Sequence, residues 1–270
     1  MSVTFKNAPL VELIAELRWG DGSRPLQPNT PTVMQGVGPE LDQFFMRLSG
    51  EVYQHGFRRA ERLVPQGFPV FPFQPVFRFR KDEATDNSVL FQAGLGLFSV
   101  HAVPPYRSWE TVSGIVRAGI SALLKARGSN DKDTPFSVAS LRYINAFHTN
   151  LTSGRSVAAF VEEVLGFSIR LPSGVSRHIK AGNKPKPQVQ FSFPLNDGAS
   201  ISFLVGEGMV NNETAIIMDM TISSDDPVTP DVDAVMTAFT SARNVIHNIF
   251  VDLTKPIEHL LEPMADQCDV

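Results

Sequence analysis

Arginine and lysine side chains are the residues of this sequence whose types and spacing best suit a binding chemistry. Arg78 and Arg80 alternate with phenylalanines at a period of two, so both point to the same face of a predicted strand. A second basic group, Arg177, Lys180 and Lys184, lies in the segment 177–186, which has no acidic residue. Cations arranged in this way bind phosphate or carboxylate groups. We therefore expect these five residues to contact an anionic ligand or partner.

An apolar segment, residues 68–75, precedes Arg78 and adds aromatic rings to this candidate surface. Its prolines at positions 69, 72 and 75 exclude it from a central strand, so it must form an edge or a loop. Phe71 and Phe73 then lie either on an exposed docking surface or in the core, and the sequence does not decide between the two. Because aromatic rings beside arginines also suit nucleic acid, we include Phe71 and Phe73 among the candidate ligand-binding residues.

No known pattern of metal-ligating, cofactor-binding or nucleophilic residues is recognisable. The six histidines occur singly, without the close spacing of zinc ligands, and the one cysteine is Cys268. The loop Gly94-Leu95-Gly96 precedes a predicted strand and not the helix that a phosphate-binding loop needs. No Gly-x-Ser-x-Gly motif is present. We predict no metal, no cofactor and no catalytic residues.

Two carboxylates, Glu12 and Glu16, share the polar side of the first predicted strand. Four residues of strand separate them by about 13 Å, which is too far for a catalytic acid–base pair. We expect them to be solvated or to pair with Arg18 and Arg142.

Composition and charge exclude several classes of protein. The 270 residues are 43% hydrophobic and 19% charged, which is typical of a globular chain and not of a disordered or fibrous one. No apolar run approaches the roughly 20 residues of a membrane span, and no export signal precedes the first strand, so we expect a cytoplasmic protein without a membrane partner. The net charge of −4 gives no general attraction to nucleic acid. Residues 1–130 nevertheless carry 14 Lys and Arg against 11 Asp and Glu, and residues 131–270 carry 10 against 17, so a basic surface in the first half stays open.

The elements that must position these residues follow from the spacing of apolar side chains. Residues 9–19 fit either a strand or a short helix, and the glycines and prolines that follow favour the strand. A long loop, a helix from Pro39 to near Gly56, antiparallel strands and a second helix from Ser108 complete the first half. After a polar stretch at 128–133, further elements are predicted at residues 136–143 (strand), 157–165 (helix), 188–193, 199–205 and 214–222 (strands), and after Pro230 (a long helix).

The two halves, residues 1–130 and 131–270, thus share one order of elements: strand, helix, several antiparallel strands, helix. We predict two tandem α+β repeats in one continuous unit, in which long helices cover curved antiparallel sheet, a shape similar to the TATA-binding protein or to helix-grip folds. Each strand has one apolar side and each closing helix one apolar stripe, which bury each other. Exposed sheet edges would favour a homo-oligomer.

Several motifs, in order along nearly the whole chain, resemble an uncharacterised, sporadically distributed prokaryotic protein family of about this length. They are Ala8-Pro9-Leu10-Val11-Glu12, Leu90-Phe91-Gln92 through Tyr106-x-x-Trp109-Glu110, Leu141-Arg142-Tyr143-Ile144-Asn145, and His247-Asn248-Ile249-Phe250 with Thr254. The resemblance implies no activity, because members of that family have none established, and no catalytic residue is carried over from it.

The sequence favours a non-catalytic binding or interaction protein that recognises an anionic ligand or a partner protein. One alternative is nucleic-acid binding over the concave sheet, for which affinity would fall steeply with added salt. Another is an enzyme that acts on a small ligand held between helix and sheet. That alternative requires a cavity with polar groups under the C-terminal helix, where a solid apolar core would exclude it.

Overall fold

One antiparallel sheet organises the fold. The computed structural model describes residues 3–20, 39–82, 88–105, 108–129, 131–180, 182 and 185–264, with the main chain alone at 39 and 40. The strands are β1 (Thr4–Phe5), β2 (Leu10–Arg18), β3 (Arg59–Arg62), β4 (Pro75–Arg80), β5 (Val89–Gly94), β6 (Leu97–Ala102), β7 (Val138–Phe147), β8 (Val189–Pro194), β9 (Ala199–Val210), β10 (Glu213–Ser224) and β11 (Pro263–Met264). Nine of them form the sheet in the order β3-β4-β5-β6-β2-β7-β10-β9-β8, while β1 pairs with β11.

Seven α-helices lie in the described ranges. They are α1 (Pro39–Tyr53), α2 (Trp109–Ala126), α3 (Thr149–Thr152), α4 (Val157–Glu163), α5 (Ser173–Ser176), α6 (Val232–Thr254) and α7 (Glu258–Leu261). Helix α6 begins where the Asp231 carboxylate accepts hydrogen bonds from the backbone N–H groups of Asp233 and Ala234, a standard N-cap. A 3-10 turn joins α6 to α7, so the C-terminal helical segment runs from 232 to 261. None of the described helices is both long and apolar enough to cross a membrane.

The sheet has an apolar face and a polar face. Across seven adjacent strands the cross-strand partners on the apolar face are at most 2% exposed: Phe79, Phe91, Val100, Ala15, Leu141, Ile222 and Ile201. Helices α1, α2, α4 and α6 pack on this face, with ring contacts such as Phe45 of α1 on Phe77 and Phe250 of α6 on Phe147. The neighbouring row on the polar face is Glu61, Arg78, Gln92, Ser99, Glu16, Ser140, Ser223 and Ser200.

The predicted α+β class with an antiparallel sheet under a long helix is confirmed. Residues 9–19 form a strand, as the glycines and prolines after them indicated. The basic residues Arg59 and Arg62 are the first and last residues of the edge strand β3. The predicted loop spans residues 20–37, and all of it except Gly20 lies outside the described residues.

Both halves of the chain contribute to the same sheet. Strands β2 to β6 come from residues 1–130 and β7 to β10 from residues 131–270, and β2 pairs with β7 along nearly its whole length. Among the nine strands of this sheet, the first strand of each half lies beside the last strand of that half: β2 lies beside β6, and β7 lies beside β10. Helix α6 packs on β7 and β10 and also on α2, so the long helix of the second half contacts the first half as well.

Candidate functional site

A partly enclosed cleft lies between α6 and the apolar face of the sheet. Its walls come from the N-terminal segment that holds β1, from the start of α2, from β7 and β10, and from α6. Its volume is about 100 Å³, which is smaller than the roughly 150 Å³ cavity known to hold a benzene molecule. Trp109, Ile246 and Phe250 line it with buried apolar surface. The cleft therefore accommodates a group of a few non-hydrogen atoms against an apolar wall.

Strand β7 contributes two polar side chains to the cleft, at positions where its alternation calls for apolar ones. The residues of β7 that face the helices are Ala139, Leu141, Tyr143, Asn145 and Phe147. Asn145 is only 4% exposed, and within the described residues its side-chain amide makes no hydrogen bond. Its place on the cleft wall leaves it available to a bound molecule.

Helix α6 contributes Arg243 and His247, which share one face of the helix because they are four residues apart. The Arg243 side chain is only 11% exposed, and its Nη2 lies 3.8 Å from Oε1 of Glu110 in the first turn of α2. It also interacts with the Tyr143 hydroxyl. Both α6 residues line the cleft, so a guanidinium and an imidazole face the tyrosine and the amide of β7.

Titration is perturbed in three groups at this site. Burial raises the pKa of the Tyr143 phenol above its ordinary value, so the hydroxyl stays protonated and can donate. Burial and the nearby Arg243 charge lower the pKa of His247 below 6.5. Burial acts to raise the pKa of Glu110, but its own backbone N–H, the Ser108 hydroxyl and Arg243 hold that pKa below its ordinary range. Such clusters of shifted groups in a cleft are characteristic of functional sites.

The chemistry available in the cleft is mainly hydrogen-bond donation. Arg243 is a permanent cation with five N–H donors, Tyr143 supplies a hydroxyl, and Asn145 supplies an amide. At neutral pH His247 is an uncharged imidazole, which donates through one ring nitrogen and accepts through the other. This set matches a small acceptor-rich group such as a carboxylate or a phosphate.

Segments that are far apart in the chain meet at this cleft, and several of them carry the motifs described above. The lining residues from those motifs are Ala8, Pro9, Leu10, Trp109, Tyr143, Asn145, His247 and Phe250. Tyr106, which belongs to the same motifs, lies outside the described residues.

The predicted basic residues of β4 lie on the polar face of the sheet. Phe79 is buried under the helices, so the alternation directs Arg78 and Arg80 to the opposite side. Arg78 lies 3.5 Å from a Glu61 carboxylate oxygen on β3. It also donates through Nη2 and Nε, both at 3.3 Å, to the Gln92 amide oxygen when that amide is oriented by its hydrogen bonds.

The second basic group is separated from the first in the sheet order. Arg177 forms the C-terminal cap of α5 and is exposed, as is Lys180, in the segment that leads to β8. Six strands lie between β4 and β8. Lys184 lies outside the described residues. The structure does not bring Arg78 and Arg80 together with Arg177 or Lys180 on neighbouring strands.

The two phenylalanines of the proline-rich segment differ in exposure. Phe71 is 48% exposed. Phe73 is half-buried, and the Arg18 guanidinium lies 5.2 Å above its ring. The segment that carries both phenylalanines forms a loop, as the prolines predicted. This loop ends at Pro75, the first residue of β4.

Sequence reasoning missed the polar residues of the cleft, although each leaves a signal. Tyr143 and Asn145 interrupt the apolar alternation of β7, and Arg243 and His247 interrupt the apolar stripe of α6. The two acidic residues of β2 behave partly as expected. Glu16 pairs with Arg18 at 2.6 Å, whereas Glu12 contacts His101 and the partner of Arg142 is Asp219.

No protein-family model, curated protein or solved structure matches this chain. Within the described residues, no group of three or more His, Cys, Asp or Glu side chains is placed to hold a metal ion.

Proposed function

We propose that this protein binds a small organic anion in the cleft between α6 and the sheet. The ligand's carboxylate or phosphate would contact Arg243, Tyr143 and Asn145, and a short apolar part would lie against Trp109 and Phe250. The sequence predicted an anionic ligand at the basic residues of β4 and of segment 177–186, whereas this proposal places the ligand in the cleft. Binding there requires no chemical step.

The proposal rests mainly on the buried side-chain amide of Asn145. Its amide is 4% exposed, has no hydrogen-bond partner among the described residues, and faces a cleft that also holds a nearly buried arginine. An amide on a cleft wall that makes no hydrogen bond to the described residues keeps its donors and its acceptor available to a bound molecule. A bound carboxylate would accept from the amide and from the guanidinium together.

Charge balance favours the cleft over the polar face of the sheet as the anion site. On that face Arg18 pairs with Glu16, Arg78 lies beside Glu61, and Arg142 pairs with Asp219. Each of these arginines has a carboxylate at hand, so a nucleic acid would compete with internal ion pairs there. In the cleft, the nearly buried Arg243 lies beside the neutral Tyr143 hydroxyl, and the Glu110 carboxylate 3.8 Å away belongs to a side chain that is 65% exposed.

We also propose that the two halves are copies of one α+β unit and that the chain belongs to the uncharacterised prokaryotic family whose motifs it resembles. The first proposal is supported by the order of the nine-stranded sheet, in which β2 lies beside β6, β7 lies beside β10, and β2 and β7 pair at the centre. The second is supported by the meeting of the motif segments at one cleft.

Calorimetric titration with a matched pair of probes tests the binding proposal. Butyrate carries the anion and a short apolar chain, and butyramide has the same size without the charge. We expect butyrate to bind and butyramide to bind at least tenfold more weakly. Because a hydrogen bond to a charged group is worth about 1.5–3 kcal/mol, Arg243→Gln should weaken butyrate binding by roughly 10- to 100-fold.

Arg117 provides the control, because it lies on α2 outside this cleft and pairs with Asp233 on the surface. We expect Arg117→Gln to bind butyrate as the wild type does, and Asn145→Ala to bind it more weakly. Equal affinity for butyrate and butyramide, or unchanged binding by Arg243→Gln, would show that the cleft is not an anion site.

A further inference from the structure

A hydrogen-bonded chain of three side chains lies on the polar face of the sheet, on the side opposite the cleft. The Ser99 hydroxyl is 3.0 Å from Nε2 of His101, and Nδ1 of the same ring is 2.8 Å from Oε1 of Glu12. Ser99 and His101 are two residues apart on β6, so they share a face. Glu12 comes from β2, where the pairing of Ile14 with His101 places it diagonally across from the ring.

The order of the three groups is that of a nucleophile, a base and an orienting carboxylate. Glu12 accepts the Nδ1 proton, which leaves Nε2 as the acceptor for the Ser99 hydroxyl. Both contacts fall within the distances at which a serine is activated by a histidine. These three side chains are shielded from bulk water: the Ser99 residue is 2% exposed, and the side chains of His101 and Glu12 are 16% and 29% exposed.

A donor for the developing oxyanion is available on the next strand. Gln92 lies directly across from Ser99 in the pairing of β5 with β6. With its oxygen accepting from Arg78, the Gln92 amide has its nitrogen left as a donor. A side-chain amide serves this role in some hydrolases and is worth about 10²- to 10³-fold in rate.

We propose that Ser99, His101 and Glu12 form a catalytic relay that hydrolyses small acyl esters, an activity independent of the cleft. Ser99 Oγ bonds to the ester carbonyl carbon while its proton passes to His101 Nε2. The bond from that carbon to the alcohol oxygen then breaks, and the alcohol leaves with the proton from Nε2. Water attacks the acyl-serine, gives its proton to Nε2, and releases the carboxylic acid as Ser99 Oγ takes the proton back.

The burial of Ser99 selects the size of the acyl group. Its neighbours across the strands are the longer side chains of Gln92 and Glu16, and His101 follows on the same strand. Because Ser99 is only 2% exposed, the proposal requires that one of these side chains moves aside to admit an acyl group, and a short group such as acetyl needs the smallest displacement. Glu12 acts through His101 and is a positioning residue.

Hydrolysis of p-nitrophenyl acetate by the full chain tests the relay. We expect repeated turnover by the wild type, no turnover above the buffer rate by Ser99→Ala, and a kcat lower by about 10²- to 10⁴-fold in His101→Gln. Ser140→Ala is the matched control, since Ser140 lies on the same face and is also nearly buried, and it should retain the wild-type kcat. Glu12→Gln should lower kcat and leave KM unchanged, as a positioning role requires.

A small fluorophosphonate gives a second readout on the unmodified wild type. Mass spectrometry should find one adduct, on Ser99, and the adduct should disappear in His101→Gln. The proposal is overturned by an adduct on another residue, by the absence of any adduct, or by equal ester turnover in the wild type and Ser99→Ala.

Discussion

At the scale of single residues, His247 links the cleft to the stability of the fold. Its pKa is lowered by burial and by Arg243, while Glu110 acts in the opposite direction. Below pH 6.5 the unfolded chain therefore binds a proton that the folded chain does not. The contribution of neutral His247 to the free energy of unfolding is fully present above that pH and is lost as the pH falls toward the lowered pKa.

We predict that the free energy of unfolding falls between pH 7 and pH 5 more steeply in the wild type than in His247→Gln. One proton contributes at most about 1.4 kcal/mol per pH unit, and solvent screening reduces this because the ring is only part-buried. Urea unfolding at a series of pH values measures the difference. Parallel profiles for the two proteins would contradict the prediction.

The side-chain contacts on the polar face of the sheet could not be predicted from the sequence. The pairing of Glu12 with His101 joins residues 89 positions apart, and it depends on the register between β2 and β6, which no local pattern encodes. The bulge in β2 between Leu10 and Glu12 is a second feature that no local pattern encodes. It places Leu10 on the cleft wall, where strict alternation from Leu13 would direct it to the opposite face.

At the scale of elements, the predictions from sequence succeed because they rest on local periods. The apolar stripe of α6, the N-cap Ser108 of α2 and the alternation in β4 and β5 each act within one element, so a window of about ten residues contains the signal. The close contact between two elements is different. Gly119 of α2 lies where Phe91 and Phe98 of the sheet approach the helix closely, and the helix pattern alone does not reveal this contact.

Two glycines of α2 test this packing. A Cβ at Gly114 would meet nothing within 4 Å, so Gly114→Ala should stabilise the protein by about 0.5–1 kcal/mol through helix propensity. A Cβ at Gly119 would lie 3.1 Å from the Phe91 ring and 3.2 Å from the Phe98 ring. Overpacking costs about 1–3 kcal/mol, so Gly119→Ala should be net destabilising. The urea midpoints should move in opposite directions with unchanged slopes, and a shift of both midpoints upward would contradict this packing.

At the scale of the whole molecule, the sheet couples the two halves of the chain. Strands β2 and β7 pair at its centre, and Leu141 of β7 lies opposite Ala15 of β2 in a fully buried row. Both tryptophans, Trp19 and Trp109, belong to the first half. Tryptophan fluorescence therefore reports on the surroundings of these two first-half residues, which include Phe136 of the second half beside Trp19, whereas far-UV circular dichroism reports on the backbone of both halves.

We predict one cooperative unfolding transition with the same midpoint by both probes. Leu141→Ala, a substitution in the second half, should lower that midpoint for tryptophan fluorescence as much as for circular dichroism, because the cavity weakens the shared core by about 2–5 kcal/mol. Met209→Ala, which truncates a 69% exposed side chain of the same half, should leave the midpoint nearly unchanged. If Leu141→Ala shifted the dichroism transition but not the fluorescence transition, the halves would unfold independently, and a sheet that spans them would not be the unit of stability.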